Sequence, residues 1–99
     1  MVYTLNSDFE WDSAKNKRNY CKHGICFEDA ISVFLDTHHV IKYDETHSEH
    51  EHRFQLIARS HVGLLLIVFV ELDDNKIRII SARRANQKER GLYEETYRI

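Results

Sequence analysis

The sequence lacks proline altogether and contains only three glycines and two cysteines among its 99 residues. Because proline and glycine most often interrupt helices and strands, we expect most of the chain to lie in regular elements joined by short turns. The two cysteines, Cys21 and Cys26, are too few for a zinc ribbon or a disulfide framework. We expect both to be reduced thiols.

Long hydrophobic segments are also missing. The longest apolar run, GLLLIVFV (63–70), is far too short to span a membrane and has the length of a buried strand. The chain opens without the basic and apolar leader that marks a secreted protein. We therefore expect a cytoplasmic protein that does not bind a membrane.

The composition is typical of one small globular domain, which we assign to residues 1–99, with 42% hydrophobic and 30% charged residues. The net charge of −2 is unevenly distributed. Residues 1–52 contain ten acidic and five basic residues, whereas residues 53–99 contain six acidic and nine basic ones. The C-terminal half is therefore suited to face phosphate groups, although the excess is too small to identify a nucleic-acid-binding protein by itself.

Two helices are predicted in the N-terminal third. Asp12 is a good N-cap and Gly24 stands where glycine commonly ends a helix, which predicts a helix over 13–23. The second helix is indicated by an apolar stripe with the spacing i, i+3, i+4 and i+7. Its members are Phe27, Ala30, Ile31 and Phe34.

Four strands and a last helix follow. Alternating or continuous apolar residues predict strands at 39–43, 53–60, 64–71 and 77–83. Short turns join the last three strands, which predicts an antiparallel meander. The remaining residues have a helical composition. The predicted fold is α+β, with two N-terminal helices, a four-stranded mainly antiparallel sheet and a C-terminal helix, in two layers.

Three separated motifs together resemble one known family. They are FEWDSAKNKRNYCKHGICFEDAISVF (9–34), DETHSEHEHR (44–53) and RIISARRANQKERGLY (78–93). Their combination, order and spacing resemble the BrnT family of type II toxins over nearly the whole chain. The resemblance implies a RelE-like fold and a ribonuclease that cleaves RNA and arrests translation without a metal or another cofactor.

The resemblance also implies a protein partner. Such toxins are neutralised by a BrnA-like ribbon-helix-helix antitoxin, with two toxins expected on one antitoxin dimer. The complex would reach operator DNA through the antitoxin and repress its own operon. An alternative interpretation is a protein-binding module with weak nuclease activity that acts as a co-repressor, and the acidic first half is consistent with it.

Metal-free RNA cleavage requires proton transfer at two oxygens and a cation for the charge that develops on the phosphate. Arginine suits the last task because its planar, always charged group matches phosphate oxygens. Arg53 and Arg78 stand in alternating strands, facing away from the helix-covered side, and both match family positions. We predict that they bind the scissile phosphate, and the alternative is two solvated strand arginines.

His23 is the only histidine inside a matched motif, which makes it a candidate for proton transfer. Lys22 beside it is a candidate substrate contact. Both would lie at a helix C-terminus, where cations are favourable for purely structural reasons. Tyr93 is a candidate acid or a stacking platform for a base, or it packs the last helix onto the sheet.

Arg83 is the remaining catalytic candidate. In a regular strand Arg78 and Arg83 would face opposite ways, so either a bulge intervenes or Arg83 already lies in the following turn. Arg83 would bind phosphate or pair with an acid, and Glu89 is a candidate ion-pair partner. Lys76 and Arg84 complete the predicted contacts with RNA.

The segment ETHSEHEHR (45–53) contains three histidines and three glutamates. The histidines lack the i, i+4 spacing of H-E-x-x-H, which places two metal ligands on one face of a helix. We therefore expect a solvated acidic turn that leads into Arg53, and no catalytic metal. Loss of activity in EDTA would instead indicate a metal-dependent hydrolase.

Overall fold

The structure is a computed structural model that describes residues 9–45 and 51–96. It contains strands β1 to β5 and helices α1 to α3. The strands are β1 Phe9–Glu10, β2 Val40–Tyr43, β3 Arg53–Ser60, β4 Gly63–Glu71 and β5 Ile77–Arg84. The helices are α1 Ser13–His23, α2 Phe27–Ala30 and α3 Gln87–Glu95. Short 3-10 helices cover Ile31–Leu35, directly after α2, and Asp73–Asn75, between β4 and β5.

The sheet has the strand order β1-β5-β4-β3-β2, and the predicted α+β class with an antiparallel β3–β4–β5 meander is confirmed. The predicted number of four strands is wrong, because β1 adds a fifth strand parallel to β5. Its two residues, Phe9 and Glu10, pair with Ile77 and Arg78. A strand of two residues is too short to show an alternating pattern in the sequence.

Helices lie on both faces of the sheet, so the predicted two-layer arrangement is wrong. One face packs against α2 and the following 3-10 helix, around Phe27 and Phe34. The opposite face carries a smaller cluster that includes Leu66 and the α3 residue Tyr93. The rest of that second face is not covered by any helix that the structure describes, and we call it the open face. Its side chains include Arg53, Gln55, Val68, Val70, Arg78 and Ser81.

The predicted ends of α1 are confirmed. The Asp12 carboxylate accepts hydrogen bonds from the backbone N–H groups of Ala14 (2.8 Å) and Lys15 (3.1 Å), and these bonds lower the pKa of Asp12. Gly24 adopts φ 72°, a left-handed conformation that glycine reaches without steric strain, and its N–H donates to the Tyr20 carbonyl (2.8 Å).

A buried asparagine fixes α1 against the outer edge of β5. The Asn19 amide donates to the Ala82 carbonyl (2.7 Å) and accepts from the Ala82 N–H (3.1 Å), and it also donates to the Ile25 carbonyl (2.8 Å). The side chain thereby satisfies backbone groups that a further strand would otherwise bind. Because Asn19 is the one buried residue of α1, this polar link rather than an apolar stripe sets the position of the helix.

Neither a membrane-crossing helix nor a disulfide occurs in the described ranges. No helix there is long and apolar enough to span a bilayer. Cys21 is an exposed free thiol, and Cys26 is a partly exposed one.

A bulge in β5 determines which way its arginines face. Val68 pairs with Ser81 whereas Phe69 pairs with Ile79, so Ile80 is an extra residue in β5. The extra residue resets the alternation of side chains along the strand. Arg78 therefore lies opposite Val70 and Arg83 opposite Leu66, which share one face of β4. Of the two alternatives that the sequence left open, the bulge is correct.

Candidate functional site on the open face

Arg53 of β3 and Arg78 of β5 both lie directly opposite Val70 of β4. Because neighbouring strands are about 5 Å apart, the Cα atoms of the two arginines are separated by about 10 Å. Residues that pair across strands project from the same face. Val70 is buried at 1% exposure between them. The two guanidinium groups are therefore suited to bind one phosphate from two sides.

Each of these arginines is oriented by a carboxylate. Glu10 of β1 accepts from Arg78 Nε (3.0 Å), and Glu51 accepts from Arg53 Nε (3.2 Å) and Nη2 (3.1 Å). These pairs are partly exposed, so each stabilises the fold by only about 0–1 kcal/mol. In the described part of the chain the terminal nitrogens of Arg78 form no hydrogen bond. They remain able to donate to a ligand.

Arg83 shares the face of Arg78 but is held at the base of α3. Its two terminal nitrogens donate to the two carboxylate oxygens of Glu89, both at 2.8 Å. These hydrogen bonds raise the pKa of Arg83 and lower the pKa of Glu89. The β4 partners of Arg83 and Arg78 are Leu66 and Val70, which are four positions apart, a distance of about 13 Å along the strand. Arg83 is therefore remote from the Arg53–Arg78 pair.

Tyr93 is buried at 1% exposure under α3. Its hydroxyl donates to Asp36 Oδ2 (2.5 Å), and the Arg59 guanidinium lies 5.7 Å from the centre of its ring. Asp36 also accepts from the backbone N–H groups of Arg59 (2.8 Å) and His38 (2.9 Å). Burial acts to raise the pKa of Asp36, but these three hydrogen bonds outweigh it and lower the pKa. The Tyr93 hydroxyl is directed to this carboxylate rather than to the open face.

A basic notch borders the open face on the β5 side. Lys22 and His23, at the end of α1, line it together with Lys15 and Arg18. Ser81, which also lines the notch, lies opposite Val68 on the open face. Lysines and arginines of α1 have no acidic neighbour within the helix, whose sequence is SAKNKRNYCKH. The notch is therefore a cationic surface next to the Val68–Ser81 pair, which neighbours the Val70–Arg78 pair on the open face.

The two other predicted RNA contacts lie at opposite ends of β5. Lys76 is exposed in the turn before the strand, at the same end as Arg78. Arg84 pairs with Leu65 and so lies on the other face from Arg83. Its Nη1 donates to the Val62 carbonyl (2.8 Å) and packs over Gly63, where an added Cβ would approach it to 2.9 Å. Arg84 thus closes the β3–β4 turn, away from the open face.

The histidine segment is only partly visible. His47 and His50 lie outside the described residues. His52 is described, and its Nδ1 lies 3.3 Å from the Tyr43 hydroxyl. The prediction that this segment holds no catalytic metal stays a prediction.

Sequence reasoning missed three polar residues with defined positions. Asn19 belongs to the first motif, so its place there was a usable signal, but its role depends on a contact 63 residues away. Asp36 shows no local pattern, because its partner Tyr93 is 57 residues away. Gln55 stands in the alternating strand between Arg53 and Ile57, which predicts its face but not a function.

Comparisons with known proteins agree with the motifs. Residues 11–89 match the family model of the ribonuclease toxin BrnT of type II toxin–antitoxin systems. The crystal structure of the Brucella abortus ribonuclease toxin BrnT is similar, with a TM-score of 0.63 and 25% sequence identity, over 83% of this chain and 100% of that one. Comparison with curated protein sequences gives no significant match. Because the family match covers well over half of its residues, the chain belongs to the BrnT family of ribonuclease toxins.

Proposed function

We propose that this chain is a metal-independent endoribonuclease that cleaves RNA on the open face and thereby arrests translation. The observation that carries the proposal is the placement of Arg53 and Arg78 on either side of Val70, on a sheet face that no described helix covers. Membership of a family of ribonuclease toxins supports the class of reaction. The RelE-like character of the fold is part of the same proposal.

The two arginines bind the scissile phosphate and stabilise the charge that develops on it during cleavage. Glu10 and Glu51 hold the guanidinium groups in position before RNA binds. A phosphate that enters between the arginines competes with these carboxylates. Because both ion pairs are partly exposed, little free energy is lost when the phosphate replaces the carboxylates.

His23 is our candidate for proton transfer at the β5 edge. It lines the notch next to Ser81, whose partner Val68 is two residues along β4 from Val70. Lys22 and Lys76 supply positive charge on either side of this region. We assign structural tasks to the other two predicted catalytic residues, since Arg83 fixes the start of α3 through Glu89 and Tyr93 fixes its end through Asp36.

The partner that follows from a type II system is a protein antitoxin. We propose a BrnA-type ribbon-helix-helix protein, bound as two toxins on one antitoxin dimer. Through the DNA-binding antitoxin, the complex would repress its own operon.

The decisive experiment is RNA cleavage by the purified, antitoxin-free chain in EDTA, with Arg78→Ala and Arg90→Ala beside it. Arg90 is an exposed arginine of α3 and serves as the matched control. We expect cleavage by the wild type and by Arg90→Ala, and a loss of about a hundredfold or more in Arg78→Ala.

Equal cleavage by Arg78→Ala, or loss of wild-type cleavage in EDTA, would contradict this mechanism. A folded wild type that does not cleave RNA would favour the co-repressor alternative instead.

A further inference from the structure

A small cleft lies between α3 and the sheet, next to the open face. It encloses about 170 Å³. Its apolar lining consists of Val40, Ile57, Leu66 and Leu92. Its polar lining consists of Lys42, Gln55, Asn86, Lys88 and Glu89. Leu92 is 43% exposed although it is a large apolar residue, so the apolar lining is accessible from outside.

Gln55 connects this cleft to the arginine pair. On β3 it stands between Arg53 and Ile57, and all three side chains project from the same face because their spacing is two residues. The step from Arg53 to Gln55 is therefore about 7 Å along the strand. A ligand whose phosphate is bound by the arginines therefore has to extend only about 7 Å along β3 to reach Gln55, which lines the cleft.

Most polar side chains that line the cleft have groups without a hydrogen-bond partner among the described residues. In the part of the chain that the structure describes, the Gln55 amide forms no hydrogen bond, and neither does the ammonium group of Lys42 or Lys88. Asn86 uses its oxygen to cap α3 but leaves its amide N–H₂ without a partner there. Glu89 is engaged by Arg83, so its negative charge is offset.

This combination matches a nucleobase better than an apolar peptide side chain. A base has two apolar faces and an edge of hydrogen-bond donors and acceptors, and unstacked RNA bases are commonly read at that edge by side chains. The Gln55 amide can pair with a base edge through two hydrogen bonds, and the Asn86 N–H₂ can donate a further one. An apolar side chain would displace water from the same amides and leave them without partners, which is unfavourable.

We propose that this cleft binds one nucleobase of the RNA and that Gln55 selects which base is accepted. The position of the neighbouring phosphate, between Arg53 and Arg78, rests on the proposed function. Lys42 and Lys88 at the rim then attract the sugar-phosphate chain on either side of the bound base.

The test is a titration of the full chain, labelled in its isoleucine, leucine and valine methyl groups, followed by NMR. The probes are the four ribonucleoside 5′-monophosphates, with ribose 5-phosphate as the control that has a phosphate but no base. The variants are Gln55→Leu and the matched control Gln87→Leu, since Gln87 is an exposed glutamine that does not line the cleft. The methyl spectrum also reports whether each variant is folded.

We expect at least one nucleotide to shift the methyl signals of Val40, Ile57 and Leu92, while ribose 5-phosphate leaves them in place. Gln55→Leu should weaken binding of that nucleotide about tenfold, and Gln87→Leu should not change it. Nucleotides that act no differently from ribose 5-phosphate would overturn the proposal. Methyl signals that are unchanged by nucleotides but are shifted by the antitoxin would also overturn it, and they would identify the cleft as a protein-docking site.

The measurement separates this inference from the proposed function, because binding is observed without cleavage. A chain that binds a base in the cleft but never cuts RNA would refute the ribonuclease proposal and retain the cleft. A chain that cuts RNA without a base preference and without methyl shifts would support the ribonuclease proposal and refute base binding in the cleft.

Discussion

The amide of Asn19 is hydrogen-bonded to both backbone polar groups of Ala82, so that one side chain takes the place of a neighbouring strand along part of β5. The same helix that this contact fixes carries Lys22 and His23 to the border of the open face. The position of the proposed proton-transfer group therefore depends on a polar contact in the interior of the protein.

Replacing Asn19 by alanine leaves the Ala82 N–H and carbonyl without partners in a buried place. We expect the free energy of unfolding to fall by about 2–4 kcal/mol, since each unsatisfied buried group costs roughly 1–3 kcal/mol. Urea unfolding of Asn19→Ala measures the change, with Lys17→Ala as a control at an exposed position of the same helix. A loss no larger than that of the control would show that water replaces the amide at β5.

Asp36 should contribute to stability in a pH-dependent way. Its pKa is lower in the folded chain than in an unfolded one, so its contribution is present above the ordinary carboxyl pKa of about 4 and is lost as the pH falls through the lowered value. Asp36→Asn cannot accept all three hydrogen bonds, and we expect it to lose about 1–3 kcal/mol at neutral pH.

The difference in unfolding free energy between wild type and Asp36→Asn should shrink as the solution is acidified below that range. A difference that stays constant down to acidic pH would mean that the carboxylate charge is not what stabilises this contact.

Arg83 offers a test of the two roles that its sequence position permits. If its task is to hold Glu89, Arg83→Ala should lower the free energy of unfolding by about 1.5–3 kcal/mol, because a half-buried carboxylate loses a charged partner. RNA cleavage per folded molecule should then change little. If Arg83→Ala strongly lost RNA cleavage but kept its stability, the structural role would be contradicted and Arg83 would instead be a phosphate-binding residue.

The two cysteines should differ in their rates of alkylation. The Cys26 thiol donates to Asp29 Oδ2 (3.0 Å), and this bond raises the pKa of Cys26, whereas Cys21 is exposed. Because the thiolate is the reactive form, iodoacetamide should modify Cys21 before Cys26. Asp29→Asn should accelerate modification of Cys26 several-fold and leave the rate at Cys21 as an internal control. Equal rates in the wild type would contradict the hydrogen bond to Asp29.

Local signals in the sequence predicted the elements whose causes are local. The cap at Asp12, the glycine at Gly24 and the alternation of β3 all act within a few residues, and the corresponding elements were predicted with nearly correct ends. The same alternation correctly assigned Arg53 and Arg78 to the face away from α2. The pairing of Glu10 with Arg78 could not be predicted, because it joins segments 68 residues apart through a strand of two residues.

The candidate site was only partly predictable for the same reason. The face of Arg83 depended on the bulge at Ile80, and neither glycine nor another local breaker marks that position. The cleft beside Gln55 forms only when α3 comes to lie on the sheet, and the sequence suggested a helix there without indicating which face it would cover.

Because Ile80 is an extra residue, the alternation of internal and external side chains is shifted by one position between the two parts of β5. Before it, odd-numbered residues such as Ile79 are internal; after it, the even-numbered Ala82 is internal. If β5 kept Ile80 but continued as a regular strand without the bulge, Ala82 would turn outward and Arg83 would be directed into the apolar interior. The strand therefore joins two independently oriented halves, one that presents an arginine beside Val70 and one that anchors the last helix.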